Sequence, residues 1–376
     1  MTPLTTSASP STVTVSLSAI RANTRMMREV CGTPIMAVVK ADGFGLGAIR
    51  VARAAVSGGA TELGVATIDE ALTLRAASLE EPILAWMLHD GARVGEALDA
   101  KIRLSLTRRA QVAEVARLAA GLGVVAEIEL EVETGMHRSG CSEADWDATL
   151  DEARRAEASG WVRVIGVWTH LSGCSPAHFT EPLETLGRAA DLARRKGLRP
   201  RVHAAASLAA TIDPRTRLDL VRLGASLVGI EPVRADPVGL HPAIRWESHI
   251  TQLHDVREGA LVGYGRHRID SPRRLALIPV GYADGVPRRA SPTLGVLTRT
   301  GHKLPFIGTI SMDHAVVDIG DLEVSPGEAV VLIGDPLRGE PGLADWADAL
   351  DTIEQEILTG LGDRVARVES TSAWPA

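Results

Sequence analysis

The chain has 376 residues, of which 45% are hydrophobic and 23% are charged, a balance typical of a globular protein with one large or two ordinary domains. Its net charge of −7 argues against a general nucleic-acid-binding protein, which needs a basic surface. No apolar run reaches the roughly 18 residues of a membrane span, and the Ser/Thr/Pro-rich beginning does not resemble a signal peptide. The three scattered cysteines indicate reduced thiols and a cytoplasmic protein rather than a disulfide framework.

Short apolar runs alternate with helical segments over the first two thirds of the chain, after an isolated predicted strand at 12–17. Eight runs are predicted as strands, at 35–40, 63–67, 82–87, 102–106, 124–133, 162–171, 201–207 and 220–229. Helices are predicted between them at 48–59, 69–77, 108–123, 143–158 and 180–197. Apolar strands joined by helical crossovers are typical of a parallel sheet buried on both faces. Eight such units predict an α/β fold, a closed (β/α)8 TIM barrel, with an open doubly wound sheet as the alternative.

The pattern changes near His241, where the crossover helices stop. Apolar runs separated by Gly and Pro turns follow at 250–256, 274–282, 313–320 and 328–334, with a helical pair at 343–350 and 353–361. This pattern predicts a mostly-β C-terminal domain. We therefore expect a barrel domain over 1–238, which includes the leading strand, and a β domain over 239–376. The sequence does not decide which domain the leading strand pairs with.

Polar residues stand at the ends of several predicted barrel strands. They are Lys40, Arg138, His170, Ser207 and Arg222. Because active sites of such barrels lie at the carboxyl ends of the strands, a closed barrel would direct all five toward one mouth. Each also has a structural interpretation, as a surface cation, a buried histidine or a capping serine.

Lys40 is the most informative of these residues, because it directly follows a buried apolar run. Partial burial lowers the pKa of a lysine, and a lysine with a depressed pKa suits Schiff-base chemistry with a carbonyl or with pyridoxal phosphate. A lysine that merely leaves the strand into solvent is the alternative. The glycines of 43-GFGLG-47 favour a tight turn, since their spacing does not match a dinucleotide-binding motif.

Further residues carry weaker signals. Ser207 and 223-LGAS-226 suggest a phosphate site, because barrels often hold phosphate in the loops after strands seven and eight. Tyr264 lies between glycines, which indicates a turning loop, and Met312 has an interpretation as core filler. No histidine pair has metal-ligand spacing with a nearby carboxylate, so we expect no catalytic metal.

Seven segments together resemble the signatures of the alanine racemase family, in family order and over nearly the whole chain. They are 37-AVVKADGFGLG-47, 134-TGMHRSG-140, 169-THLS-172, 221-VRLG-224, 262-VGYG-265, 281-GYADGVPRR-289 and 308-GTISMD-313. The resemblance implies a (β/α)8 barrel with a C-terminal β domain, assembled as a head-to-tail homodimer with shared active sites. It also implies a cytoplasmic enzyme that uses pyridoxal 5'-phosphate and acts on a small amino acid, without nucleic-acid or membrane partners.

The resemblance assigns two acid/base residues. Lys40 would hold the cofactor as an aldimine, and Tyr264 would reach the barrel mouth of the other subunit, so that two bases face opposite sides of the substrate. Arg222 would meet the pyridine nitrogen, and His170 would lie beside the cofactor and Tyr264.

The same match assigns the remaining contacts. Ser207 and the backbone of Gly224 and Ala225 would bind the phosphate. Arg138 and the partner's Met312 region would hold the substrate carboxylate. The implied reaction is the interconversion of L- and D-alanine. The alternatives are a same-fold racemase for serine or another amino acid, a pyridoxal-phosphate lyase or decarboxylase, and a cofactor-binding relative without turnover.

The sequence departs from the family at several positions. Phe44 and Gln355 stand where the family has tyrosines, and Leu46 where it has a histidine. The two missing hydroxyls predict weaker phosphate binding, by about 0.5–1.5 kcal/mol for each net hydrogen bond. Glu131 occupies the position of a lysine that is often carbamylated in relatives, so we expect no carbamate there and a direct pair between Glu131 and Arg138.

Overall fold

The computed structural model describes residues 9–89, 91–264 and 267–371. These residues form two compact units. One comprises Ile20–His241, and the other joins the described residues up to Ala19 with those from Pro242 onward. Within the described part of the chain, no helix combines the length and the apolar character needed to cross a bilayer.

The leading strand, β1 (Thr12–Ser16), belongs to the second unit and not to the barrel. Its valines, Val13 and Val15, are fully buried, and both of its edges are hydrogen-bonded to strands of that unit. The expected domains, 1–238 and 239–376, are therefore corrected. The physical reason is that backbone pairing across the whole length of the chain, which no local pattern reveals, fixes the place of this strand.

Eight parallel strands build the sheet of the barrel unit. They are β2 (Ile35–Val38), β3 (Glu62–Val65), β4 (Ile83–Ala85), β5 (Arg103–Leu106), β6 (Ala126–Glu131), β7 (Val162–Trp168), β8 (Arg201–His203) and β9 (Val221–Leu223). Their order is β8-β7-β6-β5-β4-β3-β2-β9, and a parallel bridge between His203 and Leu220 joins the two ends. The predicted (β/α)8 barrel is confirmed, and the open doubly wound sheet is excluded.

The helices of the barrel unit each bury some of their side chains. They comprise Leu17–Cys31, Ala48–Ser57, Ile68–Ala76, Val94–Asp99, Arg109–Leu122, Glu143–Ala158, Thr180–Arg195 and Ser207–Ile212. In the helix Glu143–Ala158, for example, the buried residues Trp146, Leu150 and Ala153 recur at the three- and four-residue spacing of one helical face. Ser142 caps this helix by accepting a hydrogen bond from the backbone N–H of Asp145.

The segment Lys40–Gly45 is a left-handed turn. Ala41, Asp42, Gly43 and Phe44 have φ angles of 51°, 52°, 63° and 61°. Only glycine adopts this region freely, and each of the other residues costs about 1–2 kcal/mol there. Hydrogen bonds offset this cost, among them one from the backbone N–H of Ala48 to the Asp42 carboxylate at 2.8 Å. The expectation of a tight turn at 43–47 is confirmed.

The second unit is mostly β, as predicted. Its further strands are β10 (Ile244–His249), β11 (Gln252–Val256), β12 (Leu261–Val262), β13 (His267–Arg268), β14 (Arg273–Ile278), β15 (Gly295–Thr298), β16 (Lys303–Pro305), β17 (Ala315–Asp318), β18 (Ala329–Ile333) and β19 (Ala366–Ser370). They form three sheets, ordered β16-β15-β18-β10-β1-β19, β11-β14-β17 and β12-β13. Two helices, Leu343–Ala349 and Glu354–Thr359, match the predicted helical pair. The fully buried indoles of Trp246 and Trp346 pack with ring centroids 5.7 Å apart.

Candidate active site

Lys40 stands just past the carboxyl end of β2 and is half-buried. Its Nζ lies 5.9 Å from the centroid of the Trp86 ring. Burial lowers the pKa of Lys40, the charge of Arg138 lowers it further, and the carboxylate of Glu70 opposes the decrease. Lowering the pKa enriches the neutral amine, the form that attacks a carbonyl or accepts a proton.

Arg222 is buried at the centre of the site, with its guanidinium 4.6 Å from the centroid of the Trp168 ring. Its Nη1 lies 2.8 Å from Nδ1 of His203. Its Nη2 donates to the carbonyl oxygens of Thr169 at 2.9 Å and Ala204 at 2.8 Å, and lies 3.3 Å from Nδ1 of His170. Burial lowers the pKa of Arg222 to about 10, so the group remains a cation at neutral pH.

The contacts of Arg222 favour one tautomer in each of two histidines. A guanidinium has only N–H donors, so a ring nitrogen beside it must accept and carries no proton. Nδ1 of His170 and of His203 are therefore acceptors, and each neutral ring has its proton on Nε2. Burial lowers the pKa of His170 to about 3, with help from the charges of Arg222, Arg138 and Lys40. His170 thus presents a neutral Nε2–H donor at the barrel mouth.

Two short helical turns begin side by side at Ser207 and at Ala225. The buried hydroxyls of Ser207 and Ser226 are 3.1 Å apart and join these turns. The first amides of any helical turn lack a partner within it, so both turns present N–H donors beside a serine hydroxyl. A Cβ on Gly224 would come within 2.7 Å of Cζ of Phe44, so only a residue without a side chain leaves the space at this corner open.

Glu131 and Arg138 do not form the expected direct pair. The buried Glu131 carboxylate instead accepts a hydrogen bond from the Ser139 hydroxyl at 2.7 Å, whereas the Arg138 side chain is exposed. Desolvation raises the pKa of Glu131, and the Ser139 hydrogen bond together with the charges of Arg222 and Arg138 opposes the increase. Arg138 and Ser139 are neighbours in the loop after β6. The Ser139 hydroxyl, and not the Arg138 guanidinium, contacts the Glu131 carboxylate.

Tyr264 and Met312 belong to the second unit and are exposed, with 78% and 51% of their surfaces accessible. The backbone N–H of Ala283 donates to the Met312 carbonyl at 3.0 Å. A Cβ on Gly263, which precedes Tyr264 and has φ +66°, would come within 3.1 Å of the Thr309 amide nitrogen. The backbone at Met312 is therefore held by a hydrogen bond, and the backbone next to Tyr264 is held by a close contact with Thr309.

The structure brings four of the barrel-borne candidates together, and the contact shown for the fifth, Ser207, is with Ser226. The charges of Arg138 and Lys40 both act on His170, and Arg222 contacts His170 directly. Our sequence-based predictions missed His203 and Glu129, which lie behind Arg222. A signal for Glu129 was present, because Glu127, Glu129 and Glu131 recur every second residue in β6 and so face one side of the strand.

Comparison with known proteins identifies the class to which this fold and site belong. Residues 15–232 match the alanine racemase N-terminal domain, and residues 243–369 match the alanine racemase C-terminal domain. The alanine racemase of Thermobifida fusca is 43% identical over 362 residues, which cover 94% of this chain and 96% of that protein. The chain belongs to the alanine racemase family, a family of isomerases.

Solved structures agree with this assignment. The crystal structure of alanine racemase from D-cycloserine-producing Streptomyces lavendulae superposes with a TM-score of 0.94 at 37% identity, covering 98% of this chain and 99% of that one. Alanine racemase from Bartonella henselae, solved with covalently bound pyridoxal phosphate, gives a TM-score of 0.85 at 29% identity, covering 96% and 99% of the two chains.

Proposed function

We propose that this chain interconverts L- and D-alanine, with pyridoxal phosphate attached to Lys40. The observation that carries the proposal is the environment of Arg222. Its two terminal nitrogens are engaged by four acceptors, whereas its Nε–H has no acceptor among the described residues. A donor left over in this way on a buried guanidinium fits the pyridine nitrogen of the cofactor. The alanine racemases among its relatives support the choice of substrate.

The other residues present also fit the cofactor. The Lys40 amine, with its lowered pKa, suits covalent attachment of the aldehyde. The hydroxyl of Ser207 and the amides of Gly224 and Ala225 suit the phosphate, because they offer donors where the Gly224 backbone leaves space. The covalently bound pyridoxal phosphate of the Bartonella henselae enzyme is consistent with this assignment.

When bound, pyridoxal phosphate acidifies the Cα–H bond of an amino acid by drawing electrons into its ring. Arg222 limits this withdrawal, since a guanidinium with a pKa of about 10 does not give its proton to a pyridine nitrogen. With the cofactor held there, Arg222 would make racemisation more favourable than transamination. Arg222 thus favours return of the proton to Cα.

Racemisation needs a proton removed on one face of Cα and a proton returned on the other. We assign one face to Lys40 Nζ and the other to the Tyr264 hydroxyl of the partner subunit, in a head-to-tail homodimer. The high exposure of Tyr264 and Met312 on the second unit supports a role beyond their own chain. Arg138 and Met312 of the partner subunit would hold the substrate carboxylate.

A tyrosine with its ordinary pKa near 10 needs stabilisation of its anion before it can act as a base at neutral pH. The neutral Nε2–H of His170 is suited to donate to that oxygen. The positive charge comes from Arg222 behind it, at 3.3 Å from Nδ1. His170 would therefore transmit the field of Arg222 without carrying a charge of its own.

The test is Cα-proton exchange in deuterated water with added pyridoxal phosphate and either alanine enantiomer, followed by chiral analysis. We expect inversion from both directions with deuterium at Cα. Borohydride reduction and peptide mass spectrometry should place the cofactor on Lys40. The absence of exchange with cofactor attached would contradict the proposal. A panel containing serine and larger amino acids distinguishes alanine from the other substrates that Phe44 and Gln355 leave open.

A further inference from the structure

Glu129 is a fully buried carboxylate that lies behind the candidate active site. Its Oε2 lies 2.7 Å from Nε2 of His203, and its Oε1 accepts a hydrogen bond from Nη2 of Arg201 at 2.6 Å. Arg201 in turn binds Glu62, with Nη2 2.7 Å from Oε2. A buried anion is costly unless it is paired, and both oxygens of Glu129 have partners.

The row of contacts assigns a direction to each hydrogen bond. Arg222 Nη1 donates to Nδ1 of His203, so the proton of His203 is on Nε2 and points at Glu129. Only the ionised carboxylate offers two acceptors, one for His203 and one for Arg201. Burial alone would raise the pKa of Glu129, but the hydrogen bond from His203 and the charge and hydrogen bond of Arg201 lower it below the ordinary value of a glutamate. Desolvation lowers the pKa of His203 and keeps the ring neutral.

The backbone around Glu129 is shaped to admit its carboxylate. The pairing of β6 with β7 shifts register between Ile128 and Glu129. On the facing strand, a Cβ at Gly166 would lie 2.7 Å from Cδ of Glu129. The absence of a side chain at Gly166 therefore provides the space that the carboxylate occupies.

His203 is also held on its flat side. Its ring stacks on Trp168 with centroids 5.7 Å apart and an interplanar angle of 1°, and the Trp168 Nε1–H donates to the Ser105 hydroxyl at 2.9 Å. The ring is thus fixed in position by stacking, and its tautomer depends on the two polar groups at its edges.

We propose that Glu129 is a positioning residue for racemisation, which fixes His203 as the Nε2–H tautomer and thereby holds the Arg222 guanidinium in the orientation that presents Nε–H to the cofactor. This inference rests on the proposed function. The other tautomer of His203 would direct an N–H at Nη1 of Arg222, and the two donors would repel. Arg222 would then rotate away from one of its four acceptors. A misplaced Arg222 guanidinium should lower kcat more than it changes KM, because it affects the reacting geometry more than substrate affinity.

The first experiment observes the tautomer directly, on deuterated protein labelled with 15N-histidine, with and without pyridoxal phosphate. Long-range 1H–15N spectra should show His203 neutral with the proton on Nε2 at pH 7, its signals identified by their loss in His203→Gln. A proton on Nδ1, or a doubly protonated ring, would overturn the inference. This measurement does not depend on enzymatic activity or on a variant of Glu129.

The second experiment compares Glu129→Gln with Glu127→Gln, a matched control two residues away on the same strand. Glu127 contacts Arg103 at 2.8 Å and is not a partner of His203. We expect Glu129→Gln to lower kcat for alanine about 10- to 100-fold with KM changed less than about twofold, and to shift the His203 nitrogen signals. Glu127→Gln should leave kcat and those signals close to wild type.

The possible outcomes separate the inference from the proposed function. If the unmodified chain does not racemise alanine, the proposed function fails, and the His203 nitrogen signals of Glu129→Gln, compared with those of the unmodified chain, still decide whether Glu129 fixes the tautomer. If the unmodified chain racemises alanine and Glu129→Gln has an unchanged kcat, the inference is wrong. An equal loss of kcat in Glu127→Gln would also contradict it, because general disturbance of the barrel interior would then explain both variants.

Discussion

The Glu70 carboxylate accepts a hydrogen bond from the backbone N–H of Ala41 at 2.6 Å, directly beside Lys40. Its other oxygen accepts from the backbone N–H groups of Ala66 at 2.9 Å and Thr67 at 3.0 Å. One side chain therefore joins the start of a helix to the start of the left-handed turn. Its negative charge also raises the pKa of Lys40 against the effects of burial and Arg138.

We predict that Glu70→Ala destabilises the protein by about 1–3 kcal/mol, because three backbone donors lose their acceptor and the turn keeps its unfavourable φ angles. Urea denaturation without cofactor measures the free energy of unfolding. Glu114→Ala, at an exposed position of the helix Arg109–Leu122, is the control and should change it by less than about 0.5 kcal/mol. Equal effects of the two substitutions would mean that the Glu70 contacts contribute no stability.

Gly224→Ala tests the space at the proposed phosphate site. Its φ of −132° is accessible to alanine, so any effect arises from the added Cβ, 2.7 Å from Cζ of Phe44 and 3.2 Å from the Val38 carbonyl oxygen. We predict a loss of about 1–3 kcal/mol in the free energy of unfolding and weaker binding of pyridoxal phosphate in a titration. Adding Phe44→Leu to the Gly224→Ala protein should restore part of the lost stability and part of the lost cofactor affinity.

Gly121→Ala is the matched control for that substitution, because a Cβ there meets no atom within 4 Å. It lies inside a helix, where alanine is favoured over glycine by up to about 1 kcal/mol. If Gly224→Ala has the same stability and cofactor affinity as Gly121→Ala, the proposed phosphate site tolerates a methyl group at Gly224 and the prediction is wrong.

The neutral state of His170 predicts a dependence of stability on pH. Its pKa in the folded protein is lowered to about 3, whereas the unfolded chain has a value near 6.5. The unfolded state therefore binds a proton that the folded state does not. The contribution is fully present above about pH 6.5 and is lost as the pH falls, amounting to about 2 kcal/mol between pH 8 and pH 5.

Urea denaturation of the cofactor-free protein at these two pH values measures this difference. His170→Asn should reduce the decrease in stability by about 2 kcal/mol. The same substitution at the exposed His254 should leave the decrease unchanged. A decrease that is identical in the wild type and in His170→Asn would show that His170 does not titrate differently in the two states.

The assignment of Tyr264 predicts a separation of two activities. Tyr264→Phe should lower racemisation by about 10²- to 10⁴-fold, while Cα exchange with retention of configuration persists through Lys40. Chiral analysis of alanine recovered from deuterated water distinguishes the two. Tyr282→Phe removes the hydroxyl of the only other tyrosine in the chain and should racemise normally. Racemisation at the wild-type rate in Tyr264→Phe would remove this residue from the mechanism.

The barrel could be predicted from sequence because its strands and most of its crossover helices are recorded in local periodicity. The runs that begin at Ile35 and Val162 are both strands, and of the polar residues that follow them, Lys40 lies close enough to His170 for its charge to lower the pKa of that ring. The helix Leu17–Cys31 was missed, although Ile20, Met27 and Cys31 are buried at helical spacing. That signal was available in the sequence.

The wrong and missed side-chain contacts have a different cause. A local sequence pattern does not show which distant residues pair in the folded chain. Glu131 was expected to pair with Arg138, but a serine hydroxyl in the same loop has a shorter path to the carboxylate. Glu129 and His203 are separated by 74 positions, and each lies within a predicted apolar strand. Only the closed barrel shows that they meet behind Arg222.

The position of β1 has a consequence for how the protein is made. This strand precedes all other described strands in the sequence, yet it lies between β10 and β19, and Thr12 pairs with both Glu247 and Ala366. All eight strands of the barrel sheet are synthesised before β10, whereas β1 has one edge without a partner until β19 is synthesised. Open strand edges invite pairing with other chains. A ribosome that stalls between β10 and β19 would therefore leave β1 with one unpaired edge that can pair with another chain.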